Sequence, residues 1–491
     1  MEALEGLRGK RIHVLGISGT EGCAVARFLL AQGIESTCHD LTALQTFPEV
    51  FARTHAWMAR DERERIIRWW LSEPVPVRWR DRYLEGIERA EVIFLPQAWF
   101  RHPENAPVRE RLQAGVRAHS MTQLVFDLCP CPIVGVTGTN GKFTVATLIH
   151  RMLTAAGLRA HISGNDRTHV PILYRMAEVL PTDRLVLEIS NRQLLGLRSS
   201  PQVAVLTNIQ PHHLDDHGTF EAYVRCKAGI FRHQRAEDFA VVNLDDPASA
   251  SLIPQIRARL VPFRRAGGPG LGAGAWLAEG WILTERGTPV VAVDALLSTG
   301  DHVLENALAA CAACSMMDVP PQTMADVLRR FEGLPYRMQV VAEHRGVRYV
   351  NDSLATNPSA AAAAIRAMRS PFVLIAGGVR HNATAEDFAP MAHALRASPV
   401  RAVYLIGRCA RAMAEAFGGL GAEVVDVGTL PQAFRRATNL ARPGEVVLLS
   451  PGCESFDQFA DYRERGDVFD GLVRAATAQR HPEPERSQTA R

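Results

Sequence analysis

Lysine is nearly absent from this 491-residue chain. Of its 55 basic residues, only Lys10, Lys142 and Lys227 are lysine, and the others are arginine. A sequence that uses arginine for almost every cation is expected to keep lysine where the chemistry of a primary amine is needed. The three lysines are therefore the first candidate functional residues.

Other absences restrict the class of protein. No segment approaches the roughly 20 apolar residues that span a bilayer, and the first residues lack the basic-then-apolar pattern of a signal peptide. The nine cysteines are too scattered for a disulfide framework. A formal net charge of +3 favours neither nucleic acid nor an anionic membrane as a partner. We therefore expect a cytoplasmic monomer that acts on small molecules.

The alternation of apolar strands and helical segments predicts an α/β protein with mainly parallel sheets. Three such units follow one another, and their leading strands are predicted near Arg11–Gly16, Pro132–Thr137 and Val347–Asp352. The last residues are polar and contain proline, which is typical of a disordered tail. The expected boundaries are 1–122, 123–335 and 336–478 for the domains and 479–491 for the tail.

A glycine-rich loop, Gly138–Thr144, follows a predicted strand and precedes a predicted helix. In this setting backbone amides surround phosphates and a lysine, here Lys142, reaches the terminal ones. Phe143 stands where a Ser or Thr normally offers a hydroxyl to magnesium, and Thr144 lies one position later. We predict ATP binding by Gly138, Thr139, Asn140, Gly141, Lys142 and Thr144.

Six segments together resemble the muramyl ligase family, and in particular its D-glutamate-adding branch. They occur in the order and approximate spacing of that family, and the likeness extends from about residue 7 to 475. The segments are Thr137–Lys142, Leu187–Leu194, Thr207–Gly218 with Lys227 beyond it, Gly333–Met338, Asn351–Asn357 and Leu449–Phe459.

The resemblance implies three domains. They are an N-terminal Rossmann-like domain that binds a UDP-substrate, a central P-loop ATPase, and a C-terminal Rossmann-like domain that binds an amino acid. It also implies ATP-dependent formation of an amide bond between UDP-N-acetylmuramoyl-L-alanine and D-glutamate, through an acyl phosphate, for peptidoglycan precursors. The implied cofactors are ATP, two Mg²⁺ ions, and CO₂ bound as a carbamate on Lys227.

The family pattern assigns catalytic roles to Lys142, Glu188, His213 and Lys227, and metal binding to the last three together with Thr144. A carbamate forms when a neutral amine adds to CO₂. Arginine stays protonated at all working pH values and cannot replace lysine in this reaction. Two of the three lysines thus stand where the implied mechanism excludes arginine.

Other positions match the family one by one. Those that resemble further ATP contacts are Asn306, Arg337 and Asp352. Those that resemble contacts to the UDP-substrate are Gly19, Thr20, Asp40, Asn165 and Ser190. Those that resemble contacts to the amino acid are Thr356, Arg380, Ser455 and Tyr462.

Several residues depart from the family pattern. Leu354 replaces a lysine, and Arg380 stands in a segment that has lost its lysine. Asn191-Arg192 replaces a small–aromatic pair, and Pro96–Phe100 differs from the usual turn. Three interpretations stay open: an active but divergent D-glutamate ligase, a paralogue that adds another amino acid such as L-glutamate, and a pseudo-ligase that binds ligands without turnover.

Two further patterns are also found in zinc sites and in dehydrogenases. Cys311 and Cys314 have zinc-like spacing but stand alone in an alanine-rich helix, which favours a place in the core. A dinucleotide-dependent dehydrogenase would account for the glycines of Gly16–Gly22. It would account for neither the phosphate loop nor Lys227.

Overall fold

A computed structural model describes residues 2–478 apart from 56, 73–74, 165–169, 211–213, 266–273, 285–286, 297–300 and 381–382. The predicted tail 479–491, Asn165 and His213 lie outside the described residues. The chain divides into two compact units, Met1–Phe331 and Glu332–Arg491. None of the described helices combines the length and apolarity needed to cross a bilayer.

The first unit begins with a five-stranded, wholly parallel sheet in the order β3-β2-β1-β4-β5. Its strands are β1 Ile12–Leu15, β2 Thr37–His39, β3 Val77–Arg78, β4 Val92–Phe94 and β5 Arg117–His119. Its helices are α1 Glu2–Glu5, α2 Thr20–Ala31, α3 Phe47–Thr54, α4 Arg60–Ser72, α5 Ala106–Gln113 and α6 Met121–Leu128. All four residues of β1 are buried, as expected for a strand covered on both faces.

A nine-stranded sheet follows in the same unit, in the order β14-β13-β12-β11-β10-β9-β6-β8-β7. Its strands are β6 Ile133–Thr137, β7 Ala160–Gly164, β8 Arg184–Glu188, β9 Val203–Leu206, β10 Phe239–Asn243, β11 Arg259–Arg264, β12 Ala275–Ala278, β13 Trp281–Thr284 and β14 Thr288–Ala292. Its helices are α7 Lys142–Ala155, α8 Asn191–Leu194, α9 Leu214–His217, α10 Phe220–Ala228, α11 Pro247–Ala250, α12 Asp301–Ser315 and α13 Pro321–Arg329. The pairings β12–β13 and β13–β14 are antiparallel, and the other pairings of this sheet are parallel.

The second unit contains a six-stranded sheet in the order β15-β16-β20-β17-β18-β19, parallel except for β15. Its strands are β15 Gln339–His344, β16 Val347–Asn351, β17 Phe372–Gly377, β18 Val400–Ile406, β19 Glu423–Gly428 and β20 Val446–Leu449. Its helices are α14 Pro358–Ala367, α15 Ala389–Arg396, α16 Ala410–Ala416, α17 Leu430–Leu440 and α18 Tyr462–Ala478.

The predicted fold class is confirmed, since three mainly parallel α/β sheets follow one another along the chain. Cys311 and Cys314 are fully buried in α12, as their surroundings in the sequence indicated. In parallel sheets the loops at the carboxyl ends of neighbouring strands meet at one edge. This rule brings together the loops after β6, β8 and β9, and separately those after β16, β20 and β17.

Candidate active site

The predicted phosphate loop lies between β6 and α7, and its geometry requires glycine twice. Gly138 has φ +152° and Gly141 has φ +81°, and residues that carry a side chain rarely adopt such backbone angles. A Cβ on Gly138 would lie 1.9 Å from Thr207 Oγ1, and one on Gly141 would lie 2.2 Å from Asn306 Oδ1. The predicted ATP contact Asn306 is therefore packed directly against the loop.

The residues after β9 hold the loop in this shape. The amide of Thr139 donates to the carbonyl of Asn208 at 2.8 Å, and the amide of Asn140 donates to Asn208 Oδ1 at 2.9 Å. Thr207 Oγ1 donates to the carbonyl of Asn140 at 2.5 Å. These two amides are thus engaged with the protein, and the loop leads into the N-terminus of α7, which is the positive end of a helix dipole.

Lys142 and Lys227 meet at one oxygen atom. Lys142 Nζ donates to the carbonyl of Gly138 at 3.1 Å and to that of Thr139 at 3.0 Å. Lys227 Nζ, which α10 carries, donates to the same Gly138 carbonyl at 2.8 Å. The two amines that the sequence singled out therefore lie side by side at the phosphate loop.

Lys227 is buried, with 1% of its surface exposed. Its amine also donates to Thr137 Oγ1 at 3.0 Å, and the Thr137 hydroxyl donates onward to the Ile189 carbonyl at 2.7 Å. Burial lowers the pKa of Lys227 well below its ordinary value, and the charge of Lys142 lowers it further. The low pKa favours a neutral, nucleophilic amine at this position.

Tyr223 is a site residue that the sequence did not reveal. Its hydroxyl hydrogen-bonds with Thr139 Oγ1 at 3.2 Å, and the Lys227 amine lies 5.5 Å from the centre of its ring. Tyr223 thus ties α10 to the phosphate loop. A single tyrosine on an amphipathic helix carries no pattern that distinguishes it from a core residue.

Glu188 ends β8 directly beside the strand that leads into the loop, in register with Val136. It is 7% exposed and lines a cavity with Ser163, Gly164 and Gln193. Within the described residues, no three His, Cys, Asp or Glu side chains form a preassembled metal site.

The predicted uridine-binding residues gather at the end of β1. Asp40 accepts hydrogen bonds from the Ser18 amide at 2.6 Å and from the Thr42 amide at 2.8 Å. Gly19 caps the N-terminus of α2, and Thr20 Oγ1 donates to the carbonyl of Thr54 at 3.1 Å. The turn and the acid therefore form one structure, although the Thr20 hydroxyl already has a protein partner.

Ser190 joins the first sheet's domain to the second. It caps α8 by accepting a hydrogen bond from the Gln193 amide, and its hydroxyl donates to Gln97 Oε1 at 2.8 Å. Glu21 accepts from the Gln97 amide at 2.7 Å and from Gln193 Nε2 at 3.0 Å. The predicted UDP-substrate contact at Ser190 therefore lies next to the segment that follows β4.

Asp352 follows β16 in the second unit and is 5% exposed. It accepts hydrogen bonds from Ser450 Oγ at 2.7 Å and from the Met338 amide at 3.1 Å. Burial raises the pKa of Asp352 to about 7, while these bonds and the charge of Arg337 oppose the rise. The two predicted ATP contacts of this unit, Arg337 and Asp352, thus interact with each other.

The predicted amino-acid contacts lie at the carboxyl edge of the third sheet. Thr356 belongs to the loop after β16, and Arg380 and Ser455 flank the bridge between Val379 and Glu454. Arg380 is partly exposed and pairs with Asp387 at 3.1 Å. Tyr462 begins α18 and is 6% exposed.

Arg465, fully buried in α18, connects the loops of this edge and was missed by sequence reasoning. Its guanidinium donates to Ser353 Oγ at 3.0 Å, to the Ser353 carbonyl at 2.9 Å and to the Cys453 carbonyl at 3.1 Å. Burial lowers the pKa of Arg465 to about 10. Because the chain is rich in arginine, nothing in the sequence distinguished this one.

Comparison with known sequences identifies relatives over nearly the whole chain. The profile described as Mur ligase middle domain matches residues 136–314, and that described as Mur ligase, glutamate ligase domain matches residues 336–453. A UDP-N-acetylmuramoylalanine–D-glutamate ligase of Symbiobacterium thermophilum is 36% identical over 473 residues, 95% of this chain and 98% of that protein. The protein of the same name from Caldanaerobacter subterraneus subsp. tengcongensis is 32% identical over 474 residues, with the same coverage of both chains.

Solved structures share the fold at low sequence identity. A pseudomurein peptide ligase type C from Methanothermus fervidus has a TM-score of 0.52 at 18% identity and covers 95% of this chain and 100% of its own. A UDP-N-acetylmuramate-alanine ligase from Thermotoga maritima has a TM-score of 0.53 at 16% identity, with the same coverage. These likenesses concern the fold alone.

Proposed function

Because the chain belongs to the Mur ligase family, we propose that it joins D-glutamate to UDP-N-acetylmuramoyl-L-alanine at the expense of ATP. The relatives that carry the name of this reaction match almost end to end. We place the reaction in the cytoplasm, in the synthesis of peptidoglycan precursors, and its partners are small molecules.

One observation supports the proposal most strongly. The two lysines whose chemistry arginine cannot reproduce, Lys142 and Lys227, donate to the same Gly138 carbonyl at the N-terminus of a helix. A dehydrogenase or a simple binding protein has no use for a buried, low-pKa amine at this place. A ligase that transfers a phosphoryl group needs positive charge there, together with a ligand for magnesium.

The residues present fit ATP and magnesium. Lys142 and the N-terminus of α7 would hold the terminal phosphates, and Asn306 packs against the same loop. Glu188 and Thr144 would offer oxygen ligands to Mg²⁺, and the family pattern adds His213. When bound, ATP supplies the phosphoryl group that turns the substrate carboxylate into an acyl phosphate, which the amine then attacks.

A carbamate on Lys227 is part of the proposal. Its amine bonds to two neutral oxygens, those of Thr137 and Gly138, and stands beside the positive charge of Lys142. Addition of CO₂ to the neutral amine, with release of one proton, would place an anion beside the positive charge of Lys142. The product is also an anionic oxygen ligand suited to Mg²⁺.

The incoming amino acid is assigned to the second unit. Thr356, Ser455 and Tyr462 lie at the carboxyl edge of its sheet, and Arg380 supplies a cation there. A guanidinium binds a carboxylate bidentately, so Arg380 can take the role of the missing lysine if the substrate exchanges with Asp387. Leu354 carries no charge and cannot replace a lysine in this way.

Phosphate release by the purified full chain tests the proposal. The assay contains ATP, Mg²⁺, UDP-N-acetylmuramoyl-L-alanine and either D-glutamate or L-glutamate, and the product is identified by mass. We expect release that depends on D-glutamate. Turnover with L-glutamate alone indicates the paralogue, and binding of both nucleotides without turnover indicates the pseudo-ligase.

A further inference from the structure

Asp216, in α9, is held between two arginines from distant parts of the first unit. Arg192 Nε donates to Asp216 Oδ2 at 2.8 Å, and Arg101 Nε donates to Asp216 Oδ1 at 2.5 Å. The carboxylate is only 3% exposed. We call Arg101, Asp216 and Arg192 the arginine clamp.

The clamp joins three segments around the proposed site. Arg101 belongs to the stretch that follows β4 of the first sheet, and Arg192 lies in α8, just after Glu188. Burial alone would raise the pKa of Asp216, but the bonds from Arg192 and Arg101 lower it below its ordinary value. The carboxylate is therefore charged at neutral pH, and both its oxygens accept hydrogen bonds.

Further hydrogen bonds connect the same segments. Gln97 lies in the same segment as Arg101. Its side-chain oxygen accepts a hydrogen bond from Ser190 Oγ, and its backbone amide donates one to Glu21. Glu21 comes directly after Thr20, and Ser190 comes shortly before Arg192. Residues 97–101 thus lie between Thr20 and Ser190, which are both predicted to contact the UDP-substrate. At the end of this segment, Arg101 bonds to Asp216 of α9.

Two departures from the family pattern therefore meet at one carboxylate. The changed turn at Pro96–Phe100 leads into Arg101, and the changed pair Asn191-Arg192 contributes the second arginine. Asn191 takes part as well, because its Nδ2 bonds to His217 Nε2 at 2.7 Å. The changes thus form one connected set of contacts.

We propose that Arg101, Asp216 and Arg192 are positioning residues that set Ser190 and residues 97–101 for binding of the UDP-substrate. The inference rests on the proposed function for the identity of that substrate. The ATP side is held independently, since Thr207 and Asn208 fix the phosphate loop. Loss of the clamp should therefore weaken binding of the UDP-substrate and leave the binding of ATP unchanged.

Calorimetric titration of the full chain with UDP-N-acetylmuramoyl-L-alanine, in the absence of ATP, tests the clamp. For Asp216→Asn we expect the Kd to rise about tenfold or more, because two arginines lose their charged partner. Asp216→Glu keeps the carboxylate and should recover most of the affinity. The Kd of an ATP analogue should be the same in all three proteins.

Asp326→Asn is the matched control, since Asp326 also pairs with an arginine, Arg329, but lies on the surface of α13. If Asp216→Asn does not fold, Arg101→Gln serves instead, because Arg192 still pairs with the aspartate. An unchanged Kd for the UDP-substrate in the clamp variants overturns the inference, even if their melting temperature falls. Binding does not require turnover, so a wild-type chain that binds but does not ligate refutes the proposed reaction and leaves the clamp testable.

Discussion

The amines of Lys142 and Lys227 donate hydrogen bonds to the same carbonyl oxygen, that of Gly138, at 3.1 Å and 2.8 Å. Two cations of this kind repel each other, and burial adds to the cost of charging Lys227. Under the proposed function, the triphosphate of ATP would balance the charge of Lys142, and CO₂ would convert the neutral Lys227 amine to an anion.

Replacement of Lys227 by arginine should nearly abolish ligation, because a guanidinium forms no carbamate. We expect kcat to fall by about 10²–10³-fold, as when one preorganised electrostatic group is removed. In Lys227→Ala, formate or acetate should restore part of the activity by supplying a carboxylate. The measurement is kcat with and without added acid.

The third lysine provides the control for this substitution. Lys10 is half exposed and pairs with Glu91 at 3.1 Å, so Lys10→Arg should leave kcat unchanged. Full activity in Lys227→Arg would show that no carbamate is needed.

Substitution of the two glycines that flank α7 distinguishes the effect of backbone strain from an effect on ATP binding. Gly141 and Gly157 have nearly equal angles, φ +81° and +82°, but only a Cβ on Gly141 meets another atom, Asn306 Oδ1. Either change to alanine should lower the free energy of unfolding by about 1–2 kcal/mol. Gly141→Ala should also raise KM for ATP at least tenfold, since Asn306 has to move.

Steady-state kinetics and urea unfolding of both variants test this difference. Equal KM values for ATP in Gly141→Ala and Gly157→Ala would mean that the contact with Asn306 does not shape the nucleotide site.

Arg465 should control both the stability of the second unit and its affinity for the amino acid. Arg465→Met leaves the Ser353 and Cys453 carbonyls without their donor, at about 1–3 kcal/mol for each buried group. Lysine cannot serve both loops, so Arg465→Lys should also raise KM for D-glutamate. Arg474→Lys, an exposed change on the same helix, is the control.

The readouts are KM for the amino acid and the unfolding midpoint of the second unit. If Arg465→Lys had the wild-type KM and the wild-type unfolding midpoint, the guanidinium of Arg465 would not be needed to hold the loops of Ser353 and Cys453.

Acid should destabilise the domain built on the first sheet. Burial lowers the pKa of His13 to about 4, of His39 to about 3 and of His55 to about 4. Between these values and about 6.5, the unfolded chain binds more protons than the folded chain, so the free energy of unfolding falls as pH falls. Each histidine contributes a slope of up to about 1.4 kcal/mol per pH unit.

Urea unfolding at pH values from 7.5 to 4.5 measures this slope. His13 Nδ1 lies 2.8 Å from His39 Nε2, and this pair should account for much of the slope. His13→Gln should therefore reduce the change of the unfolding free energy with pH. The same change at the exposed His233 is the control, and equal slopes in all three proteins would contradict the assignment.

The sequence was informative where a residue type was rare or a motif was local. Scarcity of lysine pointed to Lys142 and Lys227, and the β6–loop–α7 motif could be read directly because its glycines are close in sequence. Arg465 and the Arg192–Asp216 pair could not be predicted. Arginine is abundant in this chain, and their partners are brought together only by the tertiary fold.

The central claim is that the chain activates a substrate carboxylate with ATP before the amine attacks. The most direct test uses UDP-N-acetylmuramoyl-L-alanine with ¹⁸O in its alanyl carboxylate, together with ATP, Mg²⁺ and D-glutamate, and follows the isotope by mass spectrometry. An acyl phosphate predicts transfer of one ¹⁸O atom to each released phosphate. Product formation with no ¹⁸O in the phosphate would contradict the account.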